Sequence, residues 1–351
     1  MTRPYIVYAT GGSGGHVYPL VAIQQSFQGK ADCLFFVTKG REDEAIIRRY
    51  GFSYIGLFLK KSILLGLFFS FFVSFYSFFL KRPVCLVVSG GVATVCVILA
   101  AFFLRIPILM LEQNVIPGRT NRWVQWFVTK ICLSFSESES FFSLKKCVLT
   151  GNPIRQSFIK DDTYRALMEP PWPKLPVLLV VGGSQGASFF TKFFLQYQEQ
   201  WLKQPWVVWV LAGPAHQLTQ KHRFVDFYYD ANGVRKMAFF KYSDAMNLLY
   251  QRSCVVLSRA GATTIAELMY FQKPAVLVPY PFAKDNHQWH NAQSMVRTKQ
   301  AICFTQSQCD FERVFSSISL LQTQFQREHL NLDSDDACSL VVQQMRLLNC
   351  I

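Results

Sequence analysis

Tyr5-Ile6-Val7-Tyr8-Ala9-Thr10-Gly11-Gly12-Ser13-Gly14-Gly15-His16 is an apolar run followed by a glycine turn, and a helical pattern continues from Val17 to Phe27. The order is strand, turn, helix. A helix that starts directly after glycines presents unpaired backbone N–H groups at its positive end, which suits a diphosphate. His16 sets a titratable imidazole beside them. That combination points to transfer of a group from a phosphate-linked donor. The plainer reading is that the glycines only permit a tight turn and that His16 begins a helix.

The same alternation recurs along the first half. Apolar runs at Tyr5 to Ala9, Cys33 to Val37, Tyr54 to Leu59, Cys85 to Ser89, Ile108 to Leu111 and Lys130 to Leu133 are separated by stretches long enough for helices. Such βα alternation predicts a parallel sheet. The pattern breaks around Gly151-Asn152-Pro153 and Pro170-Pro171-Trp172-Pro173, where a domain junction is expected. It restarts at Val177 to Val181, with further strands near Val207 to Leu211, Val255 to Ser258 and Ala275 to Pro279. Two halves of one α/β design predict a cleft between them.

Length and charge agree with this reading. The 351 residues suffice for two domains of roughly 150 to 180 residues, each with its own core. Lys and Arg number 36 against 22 Asp and Glu, and the net charge of +14 implies an acidic partner: nucleic acid, anionic lipid or a phosphorylated substrate. With 33 Phe and 51% hydrophobic residues the chain is rich in apolar side chains for a soluble protein, which favours lipid over nucleic acid. The ten cysteines form no CxxC pair, and Cys33, Cys85, Cys132 and Cys254 sit in apolar runs, so they are expected as reduced core residues in a cytoplasmic chain. Met1-Thr2-Arg3-Pro4 leads straight into the first strand without the pattern of a secretory leader.

Ser62 to Leu80 carries no charge, is dominated by Phe and Leu, and is bracketed by Lys60-Lys61 and Lys81-Arg82. As a helix it is roughly 28 Å long, enough to span a bilayer. A span would place neighbouring strands of one sheet on opposite sides of a membrane, and the flanking charges give no orientation. Ser62, Gly66, Ser70, Ser74 and Ser77 recur every three or four positions and form one narrow stripe. The stripe is expected to pack on the protein while the Phe face, rimmed by Lys and Arg, meets an anionic membrane surface. A fully buried helix is the alternative.

Two more glycine turns follow strands in the second half. Gly182-Gly183-Ser184-Gln185-Gly186-Ala187 precedes a helical stretch from Ser188 to Leu202, and Ser258-Arg259-Ala260-Gly261-Ala262-Thr263-Thr264 precedes a helix bearing Glu267. Amides and hydroxyls at Ala262, Thr263 and Thr264 suit phosphate oxygens, and Glu267 suits ribose hydroxyls, unless it is a solvated surface residue. The segment from Pro279 to Ala292 is rich in amides and imidazoles that suit a sugar. Glu112-Gln113-Asn114 ends a strand at the edge where ligands of open sheets bind, or else caps the next element. Dispersed histidines and an acidic run confined to Asp333-Ser334-Asp335-Asp336 give no support for a metal site.

Together these runs resemble the MurG family of bacterial glycosyltransferases over most of the chain. The resemblance is carried by Gly11 to Val17, Glu112-Gln113-Asn114, Pro117-Gly118, Thr120-Asn121-Arg122, Gly151-Asn152-Pro153-Ile154-Arg155, Gly182 to Ala187, Ser258 to Thr263 with Glu267, and Asp285 to Asn291. It implies a GT-B fold of two Rossmann-like domains. The first, 1–155, would hold the acceptor and the membrane, with a helix at 336–351 packing back on it; the second, 156–335, would hold the UDP-sugar.

The resemblance further implies that Ser13, Gly14, Gly15, Asn114, Arg155, Ser184 and Gln288 contact the donor, with Glu267 on the ribose and the backbone at Ser243 facing uracil. His16 matches the general base. The implied reaction is inverting transfer of N-acetylglucosamine (GlcNAc) from UDP-GlcNAc to the C4 hydroxyl of N-acetylmuramate (MurNAc) on an undecaprenyl-linked acceptor. It would run without metal or cofactor, on the cytoplasmic face of the inner membrane. Another lipid-directed GT-B enzyme, or a non-catalytic nucleotide-sugar-binding adaptor at the membrane, is the alternative. Leu111 replaces a usual histidine before Glu-Gln-Asn, and Val92-Ala93-Thr94 replaces a usual Tyr-Val-Ser.

Overall fold

The apolar runs are too short for buried helices and too apolar for a sheet with one wet face, so each is stable only in a sheet covered on both sides. A computed structural model has this arrangement. It describes residues 3–12, 14–58, 63–154, 161–169, 172–183, 188–213, 224–325, 336–348 and 350–351. The chain divides into two units, Met1–Arg155 with Ser334–Ile351, and Gln156–Asp333.

The first unit begins β1 (Tyr5–Ala9), α1 (Gly14–Ser26), β2 (Asp32–Thr38), α2 (Glu42–Arg49), β3 (Tyr54–Leu57) and α3 (Ile63–Leu80). It continues β4 (Cys85–Val88), α4 (Thr94–Phe103), β5 (Ile108–Glu112), α5 (Arg119–Val124), β6 (Lys130–Leu133) and β7 (Cys147–Leu149). All seven strands are parallel, in the order β3-β2-β1-β4-β5-β6-β7. Alternation along β1 sends Ile6 and Tyr8 into a core with α1 and α2, and Val7 and Ala9 into a core with α3 and α4.

The second unit holds α6 (Asp162–Met168), β8 (Val177–Val181), α7 (Ser188–Gln196), α8 (Gln198–Lys203), β9 (Val207–Leu211), β10 (Val225–Tyr229) and β11 (Arg235–Phe240). It ends with α9 (Met246–Arg252), β12 (Val255–Ser258), α10 (Ala262–Tyr270), β13 (Ala275–Leu277), α11 (His287–Arg297), β14 (Ala301–Cys303) and α12 (Phe311–Phe325). Its sheet runs β10-β11-β9-β8-β12-β13-β14. Only β10 is antiparallel, pairing with β11 at the edge. Phe190, Phe194, Trp201, Ile318 and Leu321 fill the core that α7, α8 and α12 share with the sheet. The last helix, α13 (Ala337–Leu347), lies in the first unit, where Val341 and Met345 join the core of α1 and α2.

Several elements differ from the sequence reading. The β10–β11 hairpin, β7 and β14 were not anticipated. β7 and β14 have three residues each, and β11 opens on Arg235 and Lys236, so none presents a long apolar run. The helical stretch after the second glycine turn is two helices, broken at Tyr197. Cys254 is exposed and Cys33 only half-buried, whereas Cys85 and Cys132 are core residues; all ten thiols are free.

The small residues of α3 face inward as expected. Gly66, Ser70 and Ser74 are buried, Ser74 Oγ donates to the Ser70 carbonyl at 2.7 Å, and Phe78 packs edge-on against Phe36 of β2. The small stripe lets α3 lie close on α4, and it turns Phe68, Phe69, Phe72, Tyr76 and Phe79 outward at 52–74% exposure. Among the described residues no helix is long and apolar enough to cross a membrane.

Candidate functional site

Both sheets reverse their strand order once, between β1 and β4 and between β8 and β12. Loops leaving such a point diverge and open a crevice at the carboxyl ends of the strands. All three glycine turns lie at these two points.

In the first unit the turn after β1 meets the turn after β4. A Cβ on Gly11 would lie 2.3 Å from the Gly90 carbonyl oxygen, and one on Gly91 would lie 2.4 Å from the Gly11 Cα. Gly12, Gly90 and Gly91 have φ of +93°, +97° and +99°, which L side chains rarely adopt. Gly11 and Gly91 are therefore required by loop-to-loop packing, and Gly12 and Gly90 by their backbone conformation. Gly15 differs: its φ is ordinary and a Cβ there would meet nothing within 4 Å. The Gly14 N–H donates to Glu42 Oε2 at 3.2 Å, so a carboxylate of α2 already engages part of the α1 start. His16 stands half-buried in the first turn of α1. Ser13 lies outside the described residues.

Glu112 organises the neighbouring loop. Its carboxylate accepts from the Asn114 N–H at 3.0 Å, the Gly118 N–H at 3.3 Å and Asn121 Nδ2 at 2.7 Å. Asn121 in turn fills the space beside Gly90, where a Cβ would come within 2.6 Å of its Oδ1. Burial pushes the Glu112 carboxyl up to about 7 despite these donors. The sequence placed this residue at the ligand edge, and the structure shows it holding Asn114 in place. Leu111, the residue standing for a usual histidine, is buried in the core with α1, while Val92 is exposed. Arg155 lies outside the described residues.

In the second unit Gly182 and Gly183 follow β8, Gly183 at φ +88°; Ser184 lies outside the described residues. Gly261 caps α10, whose first turn carries Ala262, Thr263 and Thr264. Glu267 is 7% exposed and accepts from Tyr250 Oη at 2.9 Å, so it is not the solvated helix residue of the plainer reading. Ser243 lies on the loop from β11 to α9 with its Oγ donating to Asp161 at 2.7 Å. Gln288, on α11, accepts from the Tyr280 N–H through Oε1 at 2.9 Å. The sheet order brings the loop bearing Ser243 and the starts of α10 and α11, the helices of Glu267 and Gln288, to one edge.

Two residues of this site were missed. Arg259, directly after β12, is 6% exposed and donates to the Val278 and Pro279 carbonyls and to Gln306 Oε1, under the rings of Phe189 and Phe190. It ties the turn after β12 to the loop after β13, and burial lowers its pKa. A lone cation inside a glycine turn was its only signal. Asp161 gave none, because the loop it holds is more than 80 positions away. Among the described residues no group of three or more His, Cys, Asp or Glu side chains is placed to hold a metal.

Two Rossmann-like units with glycine turns at their switch points define a two-domain α/β protein of the nucleotide-binding type. The glycosyltransferase family 28 N-terminal domain matches residues 6–133, and the family 28 C-terminal domain matches residues 177–339. The UDP-N-acetylglucosamine--N-acetylmuramyl-(pentapeptide) pyrophosphoryl-undecaprenol N-acetylglucosamine transferase of Desulfotalea psychrophila is 32% identical over 99% of this chain and 98% of its own. The transferase of the same name from Lawsonia intracellularis is 33% identical over 85% and 83%. The crystal structure of Acinetobacter baumannii MurG superposes with a TM-score of 0.73 at 22% identity, covering 98% of this chain and 99% of that one. The chain belongs to the MurG family within glycosyltransferase family 28.

Proposed function

We infer that this chain transfers GlcNAc from UDP-GlcNAc to the C4 hydroxyl of MurNAc in undecaprenyl-pyrophosphoryl-MurNAc-pentapeptide. Family membership along essentially the whole chain carries the reading. His16 removes the proton from the C4 hydroxyl as its oxygen attacks the anomeric carbon. The bond to the β-phosphate oxygen breaks, UDP departs, and a β-1,4 link forms with inversion. A single displacement needs no sugar-enzyme bond. General-base assistance of this kind contributes about 10²- to 10⁴-fold.

Charge that develops on the departing diphosphate is met by backbone N–H groups at helix starts and by side chains. Gly14, Gly15 and Asn114 in the first unit, and Ala262, Thr263, Thr264 and Gln288 in the second, are the proposed donor contacts, with Ser13, Arg155 and Ser184. Glu267 takes the ribose, an assignment supported by its fixed carboxylate beside Tyr250. The backbone at Ser243 takes the uracil.

The exposed aromatic face of α3 supports docking on an anionic membrane surface, where the lipid-linked acceptor resides. Phe102 and Phe103 of α4 and Trp123 of α5 extend the patch at 45–66% exposure, and Lys81, Arg82 and Arg105 edge it. Such a surface buries aromatic rings in the acyl boundary and pairs cations with headgroups. The cytoplasmic face of the inner membrane is the proposed location.

Incubating the purified chain with a panel of sugar nucleotides and the MurNAc-pentapeptide lipid tests the reading. β-1,4-linked product from UDP-GlcNAc alone is expected. Transfer only to a different lipid would favour another lipid-directed enzyme, and UDP-GlcNAc binding without product would favour an adaptor.

A further inference from the structure

We propose that Asp161 is a positioning residue for the donor nucleotide, holding the Ser243–Ala245 loop in the orientation that reads the base. The proposal rests on the transferase reading above and on the donor roles given there to Ser243 and Glu267.

The two carboxylate oxygens do different things. Oδ1 accepts from the Tyr164 N–H at 2.9 Å and caps α6, a local task that one oxygen completes. Oδ2 accepts from Ser243 Oγ at 2.7 Å, the Asp244 N–H at 2.5 Å and the Ala245 N–H at 2.9 Å. Three donors on one oxygen, from residues 82 to 84 positions away, exceed what a helix cap requires. Ser243 is 2% exposed and its hydroxyl is committed to this contact, so that hydroxyl is not itself a ligand group.

The geometry of the peptide unit gives the contact its consequence. In a trans peptide the N–H and the C=O of one unit point in opposite directions. Drawing the N–H groups of Asp244 and Ala245 onto Asp161 therefore aims the carbonyls of Ser243 and Asp244 the other way. A carbonyl held in that orientation accepts from the N3–H of uracil, whereas cytosine presents a lone pair there. The tie also reaches the ribose. Ala245 caps α9, and Tyr250 of α9 donates to Glu267 on α10 at 2.9 Å. One carboxylate thus sets both the proposed base contact and the proposed ribose contact.

Asp161→Ser separates the two tasks, because serine still caps α6 but its single oxygen is too short to hold the loop. Calorimetric titration with UDP and with CDP, thermal melting, and kinetics with both substrates are the readouts. UDP affinity should fall about 10-fold, the preference for UDP over CDP should shrink, and the donor KM should rise by a similar factor, as expected for loss of hydrogen bonds to a charged group. Acceptor KM and kcat at saturating donor should stay within about 2-fold, the mark of lost donor binding rather than general damage.

Unchanged UDP affinity and unchanged UDP/CDP preference in D161S would overturn the positioning role while leaving the transferase reading intact. Failure of the wild-type chain to bind UDP would overturn both. Should D161S melt well below the wild type, Ser243→Ala removes one of the three donors and leaves the cap untouched. UDP binding weakened about 3-fold is then expected, as for one lost hydrogen bond, and no weakening would refute the proposal.

Discussion

Gly11 and Gly15 lie four positions apart in one glycine turn, yet the structure gives them opposite reasons for being glycine. A Cβ on Gly11 would stand 2.3 Å from the Gly90 carbonyl oxygen and 2.6 Å from the Gly91 Cα, and both neighbours are backbone atoms that no rotamer change can move. Ordinary contact requires about 1 Å more, so Gly11→Ala must force the turns after β1 and β4 apart. Overpacking of this kind costs about 3 kcal/mol, and in a unit the size of the first that lowers its melting temperature by roughly 6–12 °C. Gly15→Ala meets nothing within 4 Å at an ordinary φ inside α1, so it should stabilise by about 0.5–1 kcal/mol through helix propensity.

Thermal and urea unfolding of both variants, followed by UDP-GlcNAc transfer assays, separate packing from chemistry. Gly15→Ala is expected to fold at least as well as the wild type and still to lose activity, because a methyl there blocks the close approach of phosphate to the α1 start. Equal stability of Gly11→Ala and wild type would refute the loop-contact argument. A fully active Gly15→Ala would refute the diphosphate cradle in the first unit.

His16→Ala should lower turnover about 10²- to 10⁴-fold while UDP binding by calorimetry stays near the wild-type value; full turnover would remove the base assignment. Replacing Phe68, Phe72 and Phe79 together by Ser should abolish flotation with anionic vesicles and leave the melting temperature within a few degrees, since all three rings are more than half exposed. Glu112 has a folded pKa raised by burial to about 7, so the folded state holds its proton more tightly than the unfolded chain. Its contribution to stability is present below the ordinary carboxylate range and is lost as pH rises through about 7, a change of up to about 3 kcal/mol. Urea midpoints measured from pH 5 to pH 8 should fall across that window in the wild type and less steeply in Glu112→Gln; parallel curves would contradict the assignment.

The site was only partly legible. Glu267 was singled out because it follows a glycine turn by one helical turn, a spacing fixed by the helix itself. Asp161 and Arg259 were not, because their importance comes from partners brought together by the sheet: the loop after β11 for Asp161, and the loop after β13 for Arg259. Gly11 shows the same limit. It reads as a glycine for a ligand, and its closest constraint proves to be the backbone of Gly90 and Gly91.

The βα alternation of the longer apolar runs, the two halves and the inward small stripe of α3 follow from residue type and period alone, because alternation and helical spacing are local properties of the chain. The strand order is not local. It depends on which crossovers pack, and it alone decided that the turns after β1 and β4 touch. It also left β10 antiparallel at an edge and let Asp161 reach a loop more than 80 residues away. Side chains that must satisfy buried N–H groups across such distances cannot be read from their sequence neighbours, since the desolvation that makes those bonds necessary exists only once the sheet has formed.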